Sequence, residues 1–136
     1  MKLLILGGGQ LARMLALAAA PLGIECRIVD EQADGCAAQV APFSCRDWSV
    51  PGALDDLLAW ADVVTYESES IPVPLLASIA SRVPLYPPVR AQQLCGDRLI
   101  EKQTLSSLGV PVAPHRAVSS FAELEQAVSA LGLPAI

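Results

Sequence analysis

The chain has 136 residues, with 9 Lys and Arg against 14 Asp and Glu, so its formal net charge is −5. Apolar residues make up 53% and charged residues 17%. That balance excludes a disordered chain, which needs low hydrophobicity with high net charge, and argues against nucleic-acid binding, for which no basic cluster exists.

Length alone predicts one real core, since a chain of this size buries about two-thirds of its unfolded surface. Lys2 to Leu6 is a short apolar run that stops at Gly7-Gly8-Gly9, the pattern of a buried strand entering a tight turn. Residues 10–20 carry only helix-compatible side chains, and Pro21 with Gly23 ends them. Residues 25–29 read as a second strand finishing at Asp30. Strand, glycine turn, helix and strand in about 30 residues make a βαβ unit, which joins parallel strands through a right-handed crossover. Residues 52–60 form an expected helix with Leu54, Leu57 and Leu58 at helical spacing. Residues 62–66 are β-branched and aromatic and predict another parallel strand. Residues 72–81 make a helix with proline in its first turn, and Leu85-Tyr86, flanked by prolines, is at most a short edge strand. This alternation specifies an α/β architecture, an open parallel sheet with helices on both faces.

The character changes after residue 96. Residues 97–108 predict a polar-faced helix stopped by Gly109 and Pro111. Ser120 and Glu123 form a capping box for a helix with Phe121, Leu124, Val128 and Leu131 on one face. Gly132 ends it, and residues 133–136 read as the start of a strand. The motifs thus divide the chain into domains at 1–95 and 96–136.

The most apolar stretch, residues 11–22, is far shorter than the roughly 20 residues of a membrane span, and Arg13 interrupts it. No signal-peptide pattern precedes the glycine turn. Cys26, Cys36, Cys45 and Cys95 show neither a C-x-x-C pair nor a histidine at metal spacing, so they read as small buried hydrophobes in a reducing, cytoplasmic protein. No metal ligands are expected. His115, the one histidine, reads as solvated beside a loop, and Trp48 and Trp60 as covers for the core or a subunit interface.

Two features carry chemistry. Gly7-Gly8-Gly9-Gln10-Leu11-Ala12 matches G-x-G-x-x-A between a strand and a helix, where bare N–H groups and a helix N-terminus favour phosphate. Asp30 lies near where a dinucleotide site places its ribose-binding carboxylate. A dinucleotide-binding Rossmann module of an oxidoreductase and a glycine turn that merely packs helix on strand are both open at this point. In Thr65-Tyr66-Glu67-Ser68-Glu69-Ser70-Ile71-Pro72, two carboxylates follow a strand at its carboxyl end, where open parallel sheets bind ligands. On an extended chain Glu67 and Glu69 point the same way. If the chain curls, one of them addresses a ligand, and the bland alternative is a solvated entry to the next helix.

These residues resemble a known family. Gly7-Gly8-Gly9-Gln10-Leu11-Ala12-Arg13-Met14-Leu15 and Ala19-Ala20-Pro21-Leu22-Gly23-Ile24 are similar to the opening of 5-(carboxyamino)imidazole ribonucleotide synthases, which belong to the ATP-grasp superfamily. The likeness continues through Ala37-Ala38-Gln39-Val40-Ala41, Val64-Thr65-Tyr66-Glu67, Asp97-Arg98 with Glu101-Lys102, and Leu108-Gly109-Val110-Pro111-Val112-Ala113-Pro114. It implies a Rossmann-like pre-ATP-grasp domain over 1–95 and the start of an ATP-grasp module over 96–136. It also implies a ligase of purine biosynthesis that uses ATP to activate bicarbonate and carboxylates 5-aminoimidazole ribonucleotide. The substrate site maps to Gly9, Gln10, Leu11 and Glu67, and Arg98 maps to an ATP contact, with a homodimer as the expected assembly. Ala12 stands where the family has a third glycine. Ser68 and Ser70 depart from the family pattern, which leaves the role of Glu69 open, as that of Arg13 is. The glycine-rich loop over ATP, the clamping lysine and the magnesium carboxylates are expected after residue 136. No catalytic residue is therefore expected here, and this chain alone should not catalyse. A non-catalytic assembly domain is the remaining alternative, but it does not require the Asp97-Arg98 match.

Overall fold

The computed structural model describes residues 1–133. The strand expected from Leu133 onward falls on residues 134–136, outside the described residues. The chain divides into two compact units, Met1–Gly96 and one beginning at Asp97.

The first unit is a five-stranded, all-parallel sheet in the order β3-β2-β1-β4-β5. Its elements are β1 (Lys2–Leu6), α1 (Gln10–Ala19), β2 (Glu25–Asp30), β3 (Phe43–Cys45), α2 (Asp55–Trp60), β4 (Val63–Tyr66), α3 (Val73–Ala80), β5 (Leu85–Tyr86) and α4 (Val89–Cys95). β1 lies at the centre, and Leu4, Ile5 and Leu6 are completely buried. A central parallel strand is covered on both faces, so it reads as an unbroken apolar run rather than an alternating one. The pleat sends neighbours to opposite sides. Ile5 joins Cys26 and Ile28 under the Ala12, Ala16 and Ala19 stripe of α1. Leu4 and Leu6 join Val29, Leu57, Leu76 and Ile79 under α2 and α3 on the other face. The expected open sheet with helices on both faces is what the chain forms.

The register fixes the site. Leu6 pairs with Val29 on one side and with Tyr66 on the other. The residues that follow, Gly7, Asp30 and Glu67, therefore emerge side by side at the carboxyl edge of the three central strands.

The structure corrects several expectations. α2 starts at Asp55 rather than residue 52, because successive turns occupy the segment before it, with Gly52 at φ +78°. β3 and α4 were not anticipated. β3 is three residues long, and α4 follows two prolines that also mark the edge of β5. Of the cysteines expected to be buried, only Cys26 is; Cys36 is half-buried, and Cys45 and Cys95 are exposed. Burial pushes the Cys26 thiol upward from its ordinary value. Trp48 and Trp60 pack against the α2/α3 core as covers, and the Arg27 guanidinium lies 4.3 Å from the centre of the Trp60 ring.

The second unit contains α5 (Arg98–Ser107) and α6 (Phe121–Leu131). Asp97 caps α5 by accepting from the Leu99 and Ile100 N–H groups, both at 2.9 Å. Ser120 accepts from Glu123 N–H at 3.3 Å. The Glu123 carboxylate reaches back one residue further than a standard capping box, to the N–H and hydroxyl of Ser119. The apolar face expected at Phe121, Leu124 and Leu131 is exposed, and only Ala127 of α6 is buried. His115, expected to be solvated, is half-buried, with Nδ1 3.1 Å from the Ala113 carbonyl.

Candidate functional site

The glycine turn sits between two acidic strand ends, and both carboxylates turn inward onto it. The Gly9 N–H donates to Glu67 Oε1 at 3.1 Å. The Gly8 N–H donates to Asp30 Oδ2 at 2.5 Å, and Asp30 Oδ1 also accepts from Gln32 N–H at 2.9 Å. The Gly7 N–H continues the sheet to the Val29 carbonyl. Turn conformation requires glycine at position 7, and close neighbours crowd positions 8 and 9. A Cβ at Gly7, which has φ +100°, or at Gly9 would stand 2.9 Å from Glu67 Oε1, and one at Gly8 would stand 2.6 Å from the Phe43 ring.

Glu67 is half-buried, and its backbone N–H is fixed to the Leu6 carbonyl at 3.2 Å. Together with Tyr66 it borders a hollow of about 470 Å³ that is otherwise lined by Leu11, Met14, Leu15 and Ala18 of α1. This hollow lies along α1 and reaches the carboxyl end of β4, where Tyr66 and Glu67 border it. The strand order there reverses from the β2, β3 side to the β4, β5 side, the place where open α/β sheets bind ligands. Chemically the site is an apolar wall with one anchored carboxylate, suited to a flat ring and a group that donates hydrogen bonds. Burial also holds the Tyr66 phenol above its ordinary value.

The sequence-predicted residues Gly9, Leu11 and Glu67 are brought together here. Gln10 is exposed at the first position of α1, next to Gly9, and Arg13 is half-buried one turn further along. Glu69 does not join Glu67. It is exposed, and the chain curls at Ser68 and Ser70, whose hydroxyls are hydrogen-bonded to each other at 2.7 Å. Of the two geometries open at the sequence level, the structure adopts the curled one. Arg98 belongs to the second unit, where its guanidinium is 3.0 Å from Glu101 Oε2.

Gln92 escaped the sequence reading. It is the buried polar side chain of α4, and its amide donates to the carbonyls of Glu69 at 2.5 Å and Ile71 at 3.1 Å. It thereby ties the loop after Glu67 to α4. A polar residue inside the 89–95 helix was the available signal, but that helix itself was not recognised. Among the described residues no group of three or more His, Cys, Asp or Glu could hold a metal ion, and no helix is long and apolar enough to cross a membrane.

The dinucleotide alternative is not favoured. Asp30 is spent on the turn itself, as is the Gly8 amide, so the ribose-binding acid and a phosphate-binding N–H are both already engaged.

Comparison with known proteins identifies the family and the fold. Residues 1–95 match the ribonucleotide synthetase preATP-grasp domain family. The whole chain is 39% identical to 38% of the length of N5-carboxyaminoimidazole ribonucleotide synthase from Pseudomonas aeruginosa. The crystal structure of the Thermus thermophilus synthetase matches 97% of the chain with TM-score 0.82 and 42% identity, over 37% of its own length. The Aspergillus clavatus synthase, solved with ADP and 5-aminoimidazole ribonucleotide, matches 98% of the chain with TM-score 0.77 and 30% identity, over 36% of its own length. The chain thus spans somewhat over a third of the length of these relatives, and it belongs to the ribonucleotide synthetase preATP-grasp domain family.

Proposed function

We propose that this chain is the substrate-binding N-terminal part of a longer ATP-dependent ligase that carboxylates 5-aminoimidazole ribonucleotide with bicarbonate in purine biosynthesis. The observation that carries the reading is the anchored Glu67 carboxylate at the mouth of the α1 hollow. One of its oxygens is occupied by Gly9, and the other is available to ribose hydroxyls or an amine. Gln10 adds an amide that can both donate and accept, and Leu11 adds apolar wall for the ring. The likeness to a synthase solved with ADP and this nucleotide supports the same assignment.

In this reading Arg98, from the Asp97-Arg98 motif, contacts ATP with a fixed charge and planar donors. The second unit is the beginning of the ATP-grasp module. The glycine-rich loop, the clamping lysine and the carboxylates that hold magnesium are supplied by the remainder of the longer protein. This chain binds and orients substrate, and because phosphoryl transfer depends on positioning and charge neutralisation by those other groups, it does not catalyse alone. A cytoplasmic homodimer is the expected setting.

The complete enzyme is expected to consume ATP only when 5-aminoimidazole ribonucleotide and bicarbonate are both present; ATP consumption indifferent to either removes the reading. In the same enzyme Glu67→Gln is expected to weaken nucleotide substrate binding about tenfold, the size of a lost charge-assisted hydrogen bond, while leaving ATP binding unchanged. Titration calorimetry with each ligand separates the two, and unchanged substrate affinity removes Glu67 from the site.

A further inference from the structure

The Gly8 peptide is held on every side. Its N–H donates to Asp30 Oδ2 at 2.5 Å, and its carbonyl accepts from Ala37 N–H at 3.1 Å. The Phe43 ring lies against its α-carbon. Gly35 packs so closely over it that a Cβ there would stand 2.6 Å from the Gly8 oxygen. Asp30 is itself fixed, because its second oxygen holds Gln32 N–H and its own carbonyl accepts from Arg46 N–H at 2.8 Å. On the other flank Glu67 holds the Gly9 N–H. A glycine turn before a helix ordinarily offers these amides to phosphate. Here two internal carboxylates occupy them, and their negative charge repels a further anion.

We propose that Asp30 is a specificity-determining positioning residue. By capturing the Gly8 amide it closes that N–H to phosphate, so that the glycines of the turn face the hydroxyl- and amine-bearing part of a nucleotide rather than its phosphate. The second half of this statement rests on the nucleotide reading of the site above; the first half does not. Asp30 acts through the turn and touches no substrate atom.

The test follows the Gly8 and Gly9 amide resonances of the 15N-labelled chain during titration with inorganic pyrophosphate. In the unaltered chain the Gly8 resonance stays in place. Asp30→Ala exposes the amide, so Gly8 moves and pyrophosphate binds about tenfold more tightly, the weight of one charge-assisted hydrogen bond to an anion. Asp30→Asn removes the charge but keeps an oxygen on the Gly8 N–H, and its Gly8 resonance stays silent. A Gly8 amide that titrates in the unaltered chain overturns the proposal, as does a folded Asp30→Ala chain whose Gly8 does not respond. An Asn variant that behaves like Ala also overturns it, by making charge alone the cause. If Asp30→Ala does not fold, the other two arms decide: silence in both, with a slowly exchanging Gly8 amide, upholds amide capture. A parallel titration of the unaltered chain with 5-aminoimidazole ribonucleotide isolates the functional reading. No response there removes the nucleotide assignment and leaves the pyrophosphate result standing.

Discussion

The two units of this chain use the same apolar-rich composition in opposite ways. In residues 1–96 the apolar side chains converge on a parallel sheet and form two layers. In the second unit, Ala127 is the single buried apolar residue among those described, while Ile100, Leu108, Val110, Phe121, Leu124 and Leu131 are exposed. The difference is topological. Parallel strands need crossover helices, and each crossover lays an apolar helix face on the sheet. Two helices joined by a segment without regular structure have no such sheet, so caps and local hydrogen bonds hold them rather than a core. Stability in this chain should therefore be dominated by packing before Gly96 and by helix ends after it.

The largest test of this contrast is a matched pair of truncations. Leu76→Ala empties a fully buried position on the core-facing side of α3 and is expected to destabilise the first unit by about 2–5 kcal/mol. Leu124→Ala changes a side chain that is 45% exposed and is expected to stay within about 0.5 kcal/mol. Urea unfolding followed by tryptophan fluorescence reads the first unit directly, because Trp48 and Trp60 both belong to it, and hydrogen exchange of the α6 amides reads the second. Equal costs in the two units would break the comparison.

Gln92→Leu comes next. It leaves the Glu69 and Ile71 carbonyls without the amide that holds them, at an expected cost of about 1–3 kcal/mol for buried groups stripped of a partner. Hydrogen exchange should accelerate in the 67–72 loop ahead of β1. Exchange that stays uniform across the sheet would show that Gln92 does not restrain the loop that carries Glu67.

The sheet was legible because its strands obey simple rules. β1 reads as a central strand from four consecutive apolar residues before a glycine turn, and the prolines and glycines that bound α1 and α3 are visible in the chain. β3 was not legible, since three residues following Pro42 carry no periodicity of their own and pair only because β2 offers a free edge. α4 was hidden for a similar reason, as Pro87 and Pro88 read equally well as a strand edge and a helix entry. At the site, Asp30 was legible from its spacing after the turn and Glu67 from its place at a strand's carboxyl end, and both carboxylates lie on the turn. Which way each carboxylate points depends on β1 lying between β2 and β4, a fact of strand order that no local pattern holds. The motif suggested bare amides waiting for phosphate, and the fold supplies carboxylates that occupy them. In the second unit the α6 pattern located the helix correctly, but periodicity specifies only which residues share a face and says nothing about whether anything covers it.

The second unit's dependence on its helix ends gives a smaller effect. Asp97→Ala removes the acceptor of both the Leu99 and Ile100 N–H groups and is expected to weaken α5 by about 1 kcal/mol. Circular dichroism should register lost helix, while tryptophan fluorescence, which reports the first unit, should not move. Loss of both signals together would mean that the two units unfold as one.

The smallest expected effect is a pH response, and each unit has one carboxylate to report it. Glu123 is held below its ordinary value of 4.5 first by the Ser119 N–H and then by the Ser119 hydroxyl, with smaller help from Ser120. Asp47, in the first unit, is held below 3.8 first by the Ser49 hydroxyl and then by the Ser49 N–H. Because the folded values are lowered, each contribution is fully present above the unfolded value and is lost as pH falls through the folded one. For Glu123 that window begins near pH 4.5 and runs downward. Its consequence should be visible as fraying at the start of α6, where the carboxylate secures the entry to the helix and no buried core compensates. Protonating Asp47 opens only a surface turn, and β1 amides should show no change over the same range. Carboxyl-carbon NMR titration measures both midpoints. Ser119→Ala removes one donor and leaves the other, so the Glu123 midpoint should rise without reaching its ordinary value. A midpoint unmoved by Ser119→Ala would mean that the backbone N–H alone holds Glu123, and fraying in β1 at the same pH would mean that the helix ends of the second unit are not independent of the sheet.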